Sequence, residues 1–394
     1  MASVHEYGRR LENARERIRS LPNSGFILSF IDHLMALGLS AGRVAKYANH
    51  IYTLIRRCPF DPQNATRRDI ENVIAWINSQ PYKSSTKEDL KIVVRKIIQY
   101  AKYGSCSRKT PIPSEVSWFS INRSEKDSRV KPDSLLSPED VKAMINAAEN
   151  ERDKALISVL FEGALRPGEI LTMNVGSVTF RKDYCLITVN GKTGVRRIPL
   201  VASYEPLLEW LNKHPKGDDP NAPLWISLSN NSKLERMSYH YFRKLIRRLA
   251  EKAGLRRRVW PYLFRHTCLT ALAKTLTEAK LELYAGWVHG SDMSRRYVHF
   301  SARDLEDAIL EIHGLKEEAR ADGIMRIIEC PRCGKRNPPN NARCSFCGLL
   351  LDRKLAIKIE EERMERLEEI VRRLEKLEQT VYSLLEGHRA PSKQ

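Results

Sequence analysis

The sequence predicts a multidomain, mainly α-helical protein whose second domain is mixed α/β, mostly α with a small β-hairpin or sheet. Apolar residues recur at three- and four-residue intervals over most of the 394 residues, which is the helical period. Near residue 190 an Asn-Gly pair separates two short apolar runs, a strong hairpin signal. A Ser-, Pro- and Lys/Arg-rich stretch at 104–135 interrupts the helical pattern, so we expect more than one domain.

The first domain is predicted to be helical and to cover residues 24–103. Residues 1–23 before it form a charged helix of uncertain role. Within the domain, Phe30 and Leu34 lie at helical spacing and Gly38 ends the first helix. Three further helices follow, which makes a four-helix unit of roughly 80 residues, small but able to fold. Residues 104–135 are then expected to be a basic linker.

The second domain is predicted over residues 136–318. The segment Ser137–Asp140 reads as a helix start, since Ser caps, Pro suits the first helical position and the aspartate completes a capping box. Two short strands, at 184–189 and 195–200, are expected on either side of the Asn-Gly turn. Helices precede and follow this hairpin.

A Cys-rich module at 327–351 follows the second domain. Four of the eight cysteines form a double C-x2-C pattern there, which can close a tetrahedral zinc site, with iron as the alternative metal. No histidine or open position is implied, so we expect a structural Zn2+ held by Cys330, Cys333, Cys344 and Cys347. The remaining cysteines are expected to be small core hydrophobes of a reducing compartment: Cys58, Cys106, Cys185 and Cys268.

A long charged helix is predicted at 353–387. It carries an apolar stripe at three- and four-residue spacing, interrupted by Glu360 and Glu378. This pattern fits a short coiled coil; the alternative is packing on the chain's own or a neighbouring domain. The stripe consists of Met364, Leu367, Val371, Leu374, Val381 and Leu385.

The charge of the chain favours a polyanionic partner. The net charge is +19 and the isoelectric point is about 9.6, for which nucleic acid is the commonest explanation and simple solubility the alternative. Residues 351–394 carry ten Lys/Arg and ten Asp/Glu, so the nucleic-acid contacts should lie upstream. With no run of 18 apolar residues and no apolar stretch at the N-terminus, we expect no membrane partner and a cytoplasmic location.

Two basic residues have local contexts suited to phosphate chemistry. Arg166 lies at a helix junction, where its guanidinium can clamp a phosphate bidentately and Glu169, one turn on, can hold it. Lys192 lies at the tip of the predicted hairpin and can protonate a leaving alkoxide. Each has an ordinary alternative, a surface Arg–Glu pair for the first and a solvated turn lysine for the second.

Further candidates lie at the end of the second domain. Tyr262 and Arg265 share one face of a helix that begins at Pro261. The indole N–H of Trp287 can donate to a phosphate oxygen. Tyr297 can act as a covalent nucleophile, although a lone tyrosine is normally a core or surface residue.

Taken in order, these residues resemble the tyrosine recombinase (phage-type integrase) family. The sequences of the motifs are similar to those of archaeal integrases. The resemblance covers about residues 24–315. Arg166 matches the first arginine of the family pattern, in the setting Ala164–Glu169. The hairpin lysine, the second arginine, the His-or-Trp position and the nucleophile are matched by Lys192, Arg265, Trp287 and Tyr297.

The chain departs from the family at one position. Where the family usually has the histidine of His-x-x-Arg, this chain has Tyr262. A phenol titrates near pH 10 and is a poor general base at neutral pH. Either Tyr262 only orients the phosphate, or a nearby histidine, His266 or His289, takes the proton role.

The resemblance implies a function. It implies a helical core-binding domain at 24–103 and a catalytic domain at 136–318, which the zinc ribbon and the C-terminal helix follow. It implies a site-specific recombinase that acts on double-stranded DNA as a homo-tetramer through a 3′-phosphotyrosyl intermediate, with neither metal nor ATP needed for the chemistry. Integration and excision of a mobile element is the preferred role. The alternatives are Xer-like chromosome dimer resolution and a non-enzymatic DNA-binding regulator on a recombinase scaffold.

Overall fold

The computed structural model describes residues 6–121, 134–191, 193–230, 234–291, 293–294, 297, 327–339 and 341–387, the last segment without the side chains of 353–354 and 382–387. The chain divides into two compact units. The first comprises Met1–Ser134 with Ser238–His240, and the second comprises Leu135–Met237 with Tyr241–Gln394. Among these described residues, no helix has the length and apolar character needed to cross a membrane.

The first unit is helical. Its apolar residues pack into one core, to which α3 contributes seven buried apolar side chains, such as Val44 and Ile51, and α5 contributes five, such as Val93 and Ile97. A capping box at Thr66 and Asp69 begins α4. The helices are α1 (Tyr7–Ile18), α2 (Ser24–Ala36), α3 (Ala41–Arg57), α4 (Arg67–Ser79), α5 (Ser84–Tyr103) and α6 (Ser114–Ser117).

Two segments outside the expected four-helix unit belong to this core. The charged N-terminal helix α1, whose role the sequence left uncertain, buries Leu11, Ala14 and Ile18 in it. These residues lie on one helix face, so α1 is amphipathic and packs that face against the core of the first unit. The first part of the expected linker also packs there, through Cys106 and Phe119 among others; residues 122–133 lie outside the described residues.

The second unit is mostly helical with small antiparallel sheets, so the predicted mainly α, mixed fold class is confirmed. The predicted capping box at Ser137 and Asp140 begins its first helix. Helix α8 is buried along most of its length and contacts α7, α10 and α12. The helices are α7 (Pro138–Asn146), α8 (Glu151–Glu162), α9 (Pro167–Leu171), α10 (Tyr204–Lys213), α11 (Tyr239–Lys252), α12 (Pro261–Leu272) and α13 (Glu278–Ala285).

A three-stranded antiparallel sheet lies in the second unit in the order β1-β2-β3. The strands are β1 (Val178–Phe180), β2 (Cys185–Gly191) and β3 (Gly194–Leu200). β2 and β3 form the predicted hairpin and stay paired as far as Gly191 opposite Gly194. β1 was not predicted, because a strand of three residues is too short to show alternation.

The Cys-rich module and the tail helix follow in the same unit. The module contains β4 (Ile328–Glu329) paired with β5 (Arg336–Asn337), and the tail is α14 (Arg353–Gly387). Arg336 of the module forms an ion pair with Asp183, at the turn between β1 and β2, with 3.3 Å between Nη1 and Oδ1. Of the scattered cysteines, Cys106, Cys185 and Cys268 are buried as expected, whereas Cys58 is only partly buried.

Candidate active site and metal centre

Arg166 lies at the junction of α8 and α9. Its Nη1 donates to Glu169 Oε1 at 2.6 Å, and its backbone N–H donates to Glu169 Oε2 at 2.9 Å. Its Nη2 donates to the carbonyl of Gly286 at 3.2 Å. The side chain of Arg166 is 22% exposed and that of Glu169 is 3% exposed. The glutamate therefore holds the arginine from the interior while the guanidinium keeps an accessible surface.

Arg196 holds the same glutamate and was missed by the sequence analysis. Its Nη1 and Nη2 donate to Glu169 Oε1 and Oε2 at 2.9 and 2.8 Å, the bidentate geometry that arginine favours. Burial by itself would raise the pKa of Glu169. The guanidinium of Arg196 and the hydrogen bonds from Arg166 outweigh that effect and lower the pKa to about 2.

A signal for Arg196 was present in the strand pattern. Successive residues of a strand point to opposite faces of the sheet, and in β3 Arg196 shares its face with the buried Ile198 and Leu200. An arginine on an inward face needs a charged or polar partner. The alternation of β3 could therefore have identified it.

Arg265 lies in α12 and is only 3% exposed. Its Nη1 and Nη2 donate to the carbonyls of Ala164 and Ala285 at 2.6 and 2.7 Å. Its guanidinium carbon lies 5.7 Å from the centre of the Trp287 ring. Burial, followed by the charge of Arg166, lowers the pKa of Arg265 to about 10. The guanidinium is still protonated at neutral pH, and because it is buried its positive charge is poorly solvated.

Tyr297 is buried, at 5% exposure, against aromatic and imidazole rings. Its Oη lies 2.8 Å from Nδ1 of His266. Its ring stacks on Trp287, with centroids 5.3 Å apart and 22° between the planes, and on His266, with centroids 5.9 Å apart and 26°. If Nδ1 is the unprotonated nitrogen, the phenol donates to it.

Tyr262 and the second candidate for the proton role, His289, have different surroundings. Tyr262 is 42% exposed and its ring centre is 6.4 Å from that of His266. The His289 side chain is 88% exposed, and its Nδ1 lies 2.9 Å from Oε2 of the buried Glu282. The histidine at hydrogen-bond distance from the Tyr297 hydroxyl is therefore His266.

Lys192 lies outside the described residues, but its neighbours on the hairpin are described. Gly191 and Gly194 pair across the turn, and Thr193 Oγ1 donates to the carbonyl of Gly286 at 2.8 Å. The same carbonyl accepts from Arg166. The hairpin turn and the first arginine thus meet at the residue before Trp287.

The contacts link most of the predicted residues into one cluster. Arg166 contacts Gly286, Trp287 lies between Arg265 and Tyr297, and His266 contacts Tyr297. Two guanidinium groups beside a buried phenol form a place where an anion can bind next to a nucleophile. Such an arrangement suits a reaction at a phosphate.

A second constellation is the predicted set of four cysteines. The Sγ atoms of Cys330, Cys333, Cys344 and Cys347 all lie within 4.8 Å of one another. Cys330 and Cys347 are 3.5 Å apart, and Cys333 and Cys344 are 3.6 Å apart. Tetrahedral zinc with Zn–S bonds of about 2.3 Å requires sulfurs about 3.8 Å apart, so the residues fit this metal. Asn337 Nδ2 also donates to Cys344 Sγ at 3.5 Å, which orients that sulfur.

The chain is similar to known recombinases in sequence. Residues 134–303 match the phage integrase family. The tyrosine recombinase XerD of Vibrio cholerae is 27% identical over 198 residues, which are 48% of this chain and 62% of that protein, less than two thirds of its length. The tyrosine recombinase XerA of Pyrococcus horikoshii is 23% identical over 248 residues, which are 63% of this chain and 79% of that protein.

The fold is also similar to that of solved structures. The lambda integrase (residues 75–356) bound to DNA aligns with a TM-score of 0.53 and 14% identity, over 71% of this chain and 96% of that one. At this identity the likeness shows the fold alone. The family match identifies residues 134–303 as a phage integrase family domain, and the relatives similar to this chain are tyrosine recombinases.

Proposed function

We propose that this protein is a site-specific DNA recombinase that cuts and rejoins DNA through a 3′-phosphotyrosyl intermediate. The observation that supports this most is Tyr297, whose buried hydroxyl is 2.8 Å from His266 and whose ring stacks on Trp287. A phenol becomes a nucleophile when an adjacent base takes its proton and a cation stabilises the charge that develops. His266 and Arg265 are positioned for these two tasks.

The scissile phosphate binds to Arg166 and Arg265 in this proposal. Their charges stabilise the non-bridging oxygens as the transition state forms, and the indole N–H of Trp287 assists. Burial and the charge of Arg166 lower the pKa of Arg265 to about 10, so a bound anion relieves an unfavourable concentration of positive charge. No metal or ATP is needed for this step, since the cations are side chains.

Each proton has a defined destination. Tyr297 Oη forms a bond to phosphorus and loses its proton to His266 Nδ1, while the bond from phosphorus to the 5′ oxygen breaks. Lys192 supplies the proton for that leaving oxygen. A 5′-hydroxyl of a partner strand then attacks the phosphotyrosine and gives its proton to Lys192, while the bond from phosphorus to Tyr297 breaks and Tyr297 takes back its proton from His266. Tyr262, in this scheme, only orients the phosphate.

The assignment of the proton role can be tested by paired variants. Removing a general base typically costs a factor of about 10²–10⁴, so His266→Gln should lower the rate of covalent adduct formation by that order. Tyr262→Phe should lower it by less than about tenfold, because orientation alone is lost. If Tyr262→Phe is the more damaging change, the roles of the two residues must be exchanged.

The polyanionic partner is double-stranded DNA. The net charge of +19 lies upstream of residue 351, in the part of the chain that carries the site. If about eight phosphates are neutralised, the logarithm of the affinity for DNA should fall with the logarithm of the salt concentration at a slope near −7.

Integration and excision of a mobile element, in the cytoplasm, is the role we favour. Chromosome dimer resolution is the alternative within the same chemistry, since the relatives include proteins named XerD and XerA.

The four cysteines hold a structural Zn2+ in this proposal. When bound, the ion would fix the fold of the module, since its four thiolate positions would all be filled by the protein. It takes no part in strand cleavage.

The tail helix α14 provides a contact for assembly as a homo-tetramer. Five apolar residues with successive spacings of three, four, three and four are 47–61% exposed: Leu367, Ile370, Leu374, Leu377 and Val381. This stripe shares three members with that named from the sequence and is not interrupted by Glu378. We propose that its partner is the same helix of a second copy. In a parallel pair Arg373 of one helix faces Glu378 of the other, five positions on, which is the charge pairing of coiled coils.

The function is tested by strand exchange on supercoiled DNA from the neighbourhood of the gene, with EDTA present. Wild type should produce recombinant joints, and Tyr297→Phe should bind the DNA equally well and produce none. Tyr184→Phe, a change at an exposed tyrosine, is the matched control and should remain active. Tight binding with no cleavage by wild type would favour the binding-only regulator instead.

A further inference from the structure

We propose that Arg196 is a positioning residue of the strand-cleavage site, which fixes Arg166 and the Lys192 hairpin to each other through Glu169. The inference rests on the proposed recombinase chemistry and adds a residue to it. Arg196 does not touch the reacting atoms in this scheme. It acts through the glutamate that holds Arg166.

The Glu169 carboxylate accepts four hydrogen bonds, two on each oxygen. Oε1 accepts from Arg166 Nη1 and Arg196 Nη1 at 2.6 and 2.9 Å. Oε2 accepts from the Arg166 backbone N–H and Arg196 Nη2 at 2.9 and 2.8 Å. All lone pairs of the carboxylate are thereby used. Since the Arg196 and Glu169 side chains are 7% and 3% exposed, the pair is shielded from water and sensitive to the loss of either partner.

Two glycines leave room for this pair. A Cβ at Gly191 would lie 2.6 Å from Glu169 Oε1, and a Cβ at Gly286 would lie 2.7 Å from Arg196 Nη1. Gly286 also has φ +64°, which favours glycine. The residue before Lys192 and the residue before Trp287 are thus both packed against the Arg196–Glu169 pair.

The pair therefore joins three segments that carry proposed catalytic residues. The first segment is α9, which supplies Glu169 beside Arg166. The second is β3, which supplies Arg196 just after the turn that contains Lys192. The third is the segment before Gly286 and Trp287, where the Tyr284 carbonyl accepts a hydrogen bond from Arg196 Nε at 3.1 Å. A guanidinium suits this task because its planar fork can bind a carboxylate with two N–H groups and a carbonyl with a third. Lysine at this position could not bind both in that geometry.

The test compares Arg196→Met with Arg197→Met, the same change at the next residue, which is exposed. Three quantities are measured on the full-length protein: the rate of covalent adduct formation on nicked DNA, the affinity for that DNA, and amide hydrogen exchange over 184–200 and 284–290. Misplacing a reacting group by about 1 Å can cost about a hundredfold in rate. Arg196→Met should lose about that factor in adduct formation, keep its DNA affinity within about threefold, and exchange faster in both segments.

A pH profile separates positioning from a general loss of structure. Without Arg196, its guanidinium no longer offsets the effect of burial, so the pKa of Glu169 rises and the protonated carboxyl holds Arg166 less tightly. The defect of Arg196→Met relative to wild type should therefore be larger at low pH than at high pH. In the Arg196→Met background, Glu169→Gln should cost little more, because the two residues act as one unit.

The outcomes separate this inference from the proposed function. If wild type forms the adduct and Arg196→Met matches Arg197→Met in rate and in exchange, Arg196 has no positioning role. If wild type forms no adduct, the proposed function fails, and the exchange experiment alone decides whether Arg196 joins the two segments. Equal exchange in the two variants would then overturn the inference.

Discussion

Gly286 is the residue on which the site's backbone contacts converge. Its carbonyl accepts hydrogen bonds from Arg166 and Thr193, and its φ of +64° turns the chain toward Trp287. Gly290 has a similar φ of +74°, but a Cβ there would meet nothing within 4 Å. The two glycines therefore separate the effect of backbone conformation from that of contact with Arg196.

Substituting alanine at both positions tests this contact. Gly290→Ala should lower the free energy of unfolding by about 1–2 kcal/mol, the usual cost of a left-handed conformation for an L residue. Gly286→Ala should cost about 1–3 kcal/mol more, because its Cβ would overlap Arg196. Urea denaturation of both variants measures the difference. Equal losses would mean that Arg196 moves aside freely and that the Glu169 pair is loose.

Glu169 should make stability depend on acid pH. Its pKa is lowered from an ordinary 4.5 to about 2 in the folded protein, so its contribution is present above pH 4.5 and is lost as pH falls toward 2. A shift of that size corresponds to about 3 kcal/mol. The difference in free energy of unfolding between wild type and Glu169→Gln should shrink by about that amount from pH 6 to pH 2. A difference that stays constant over this range would contradict the buried ion pair.

The resemblance to tyrosine recombinases was enough to name Arg166, Arg265, Trp287 and Tyr297 as one set. It could not choose between His266 and His289, because the choice depends on which imidazole meets a tyrosine that is 31 positions from His266. Only tertiary packing decides that contact.

Among the elements, those with strong local signals were the ones predicted well. The β2–β3 hairpin and the capping box of α7 follow from turn and cap residues a few positions apart. The packing of α1 was not foreseen. Its buried face has three apolar residues among many charges, and the core that covers them is built from later helices.

The Cys-rich module is expected to bind one metal ion. Purified full-length protein should contain about one zinc per chain, since a four-cysteine site binds a single ion. Cys344→Ser should lose the metal and become sensitive to proteolysis within 327–351. Cys58→Ser, a change at a partly buried cysteine outside the module, should keep it. Elemental analysis with limited proteolysis measures both effects, and iron in place of zinc, or metal retained by Cys344→Ser, would contradict the assignment.

For the whole molecule, the exposed stripe of α14 predicts self-association. Replacing Leu367 and Leu374 by Glu puts charges into the proposed seam, where apolar residues are required. The double variant should form smaller assemblies than wild type in light scattering, both free and on DNA. Gln379→Glu adds a charge at an exposed position outside the stripe and should leave the mass unchanged. Tetramers on DNA that survive the double substitution would show that α14 is not the assembly contact.

Covalent attachment of Tyr297 to DNA without a metal can be detected directly. Wild-type protein is incubated with nicked target DNA in EDTA, the adduct is digested with nuclease and protease, and mass spectrometry locates the nucleotide. We expect a 3′-phosphotyrosyl nucleotide on Tyr297, and none in Tyr297→Phe. A nucleotide on Tyr262 or Tyr284, or an adduct that Tyr297→Phe still forms, would contradict it.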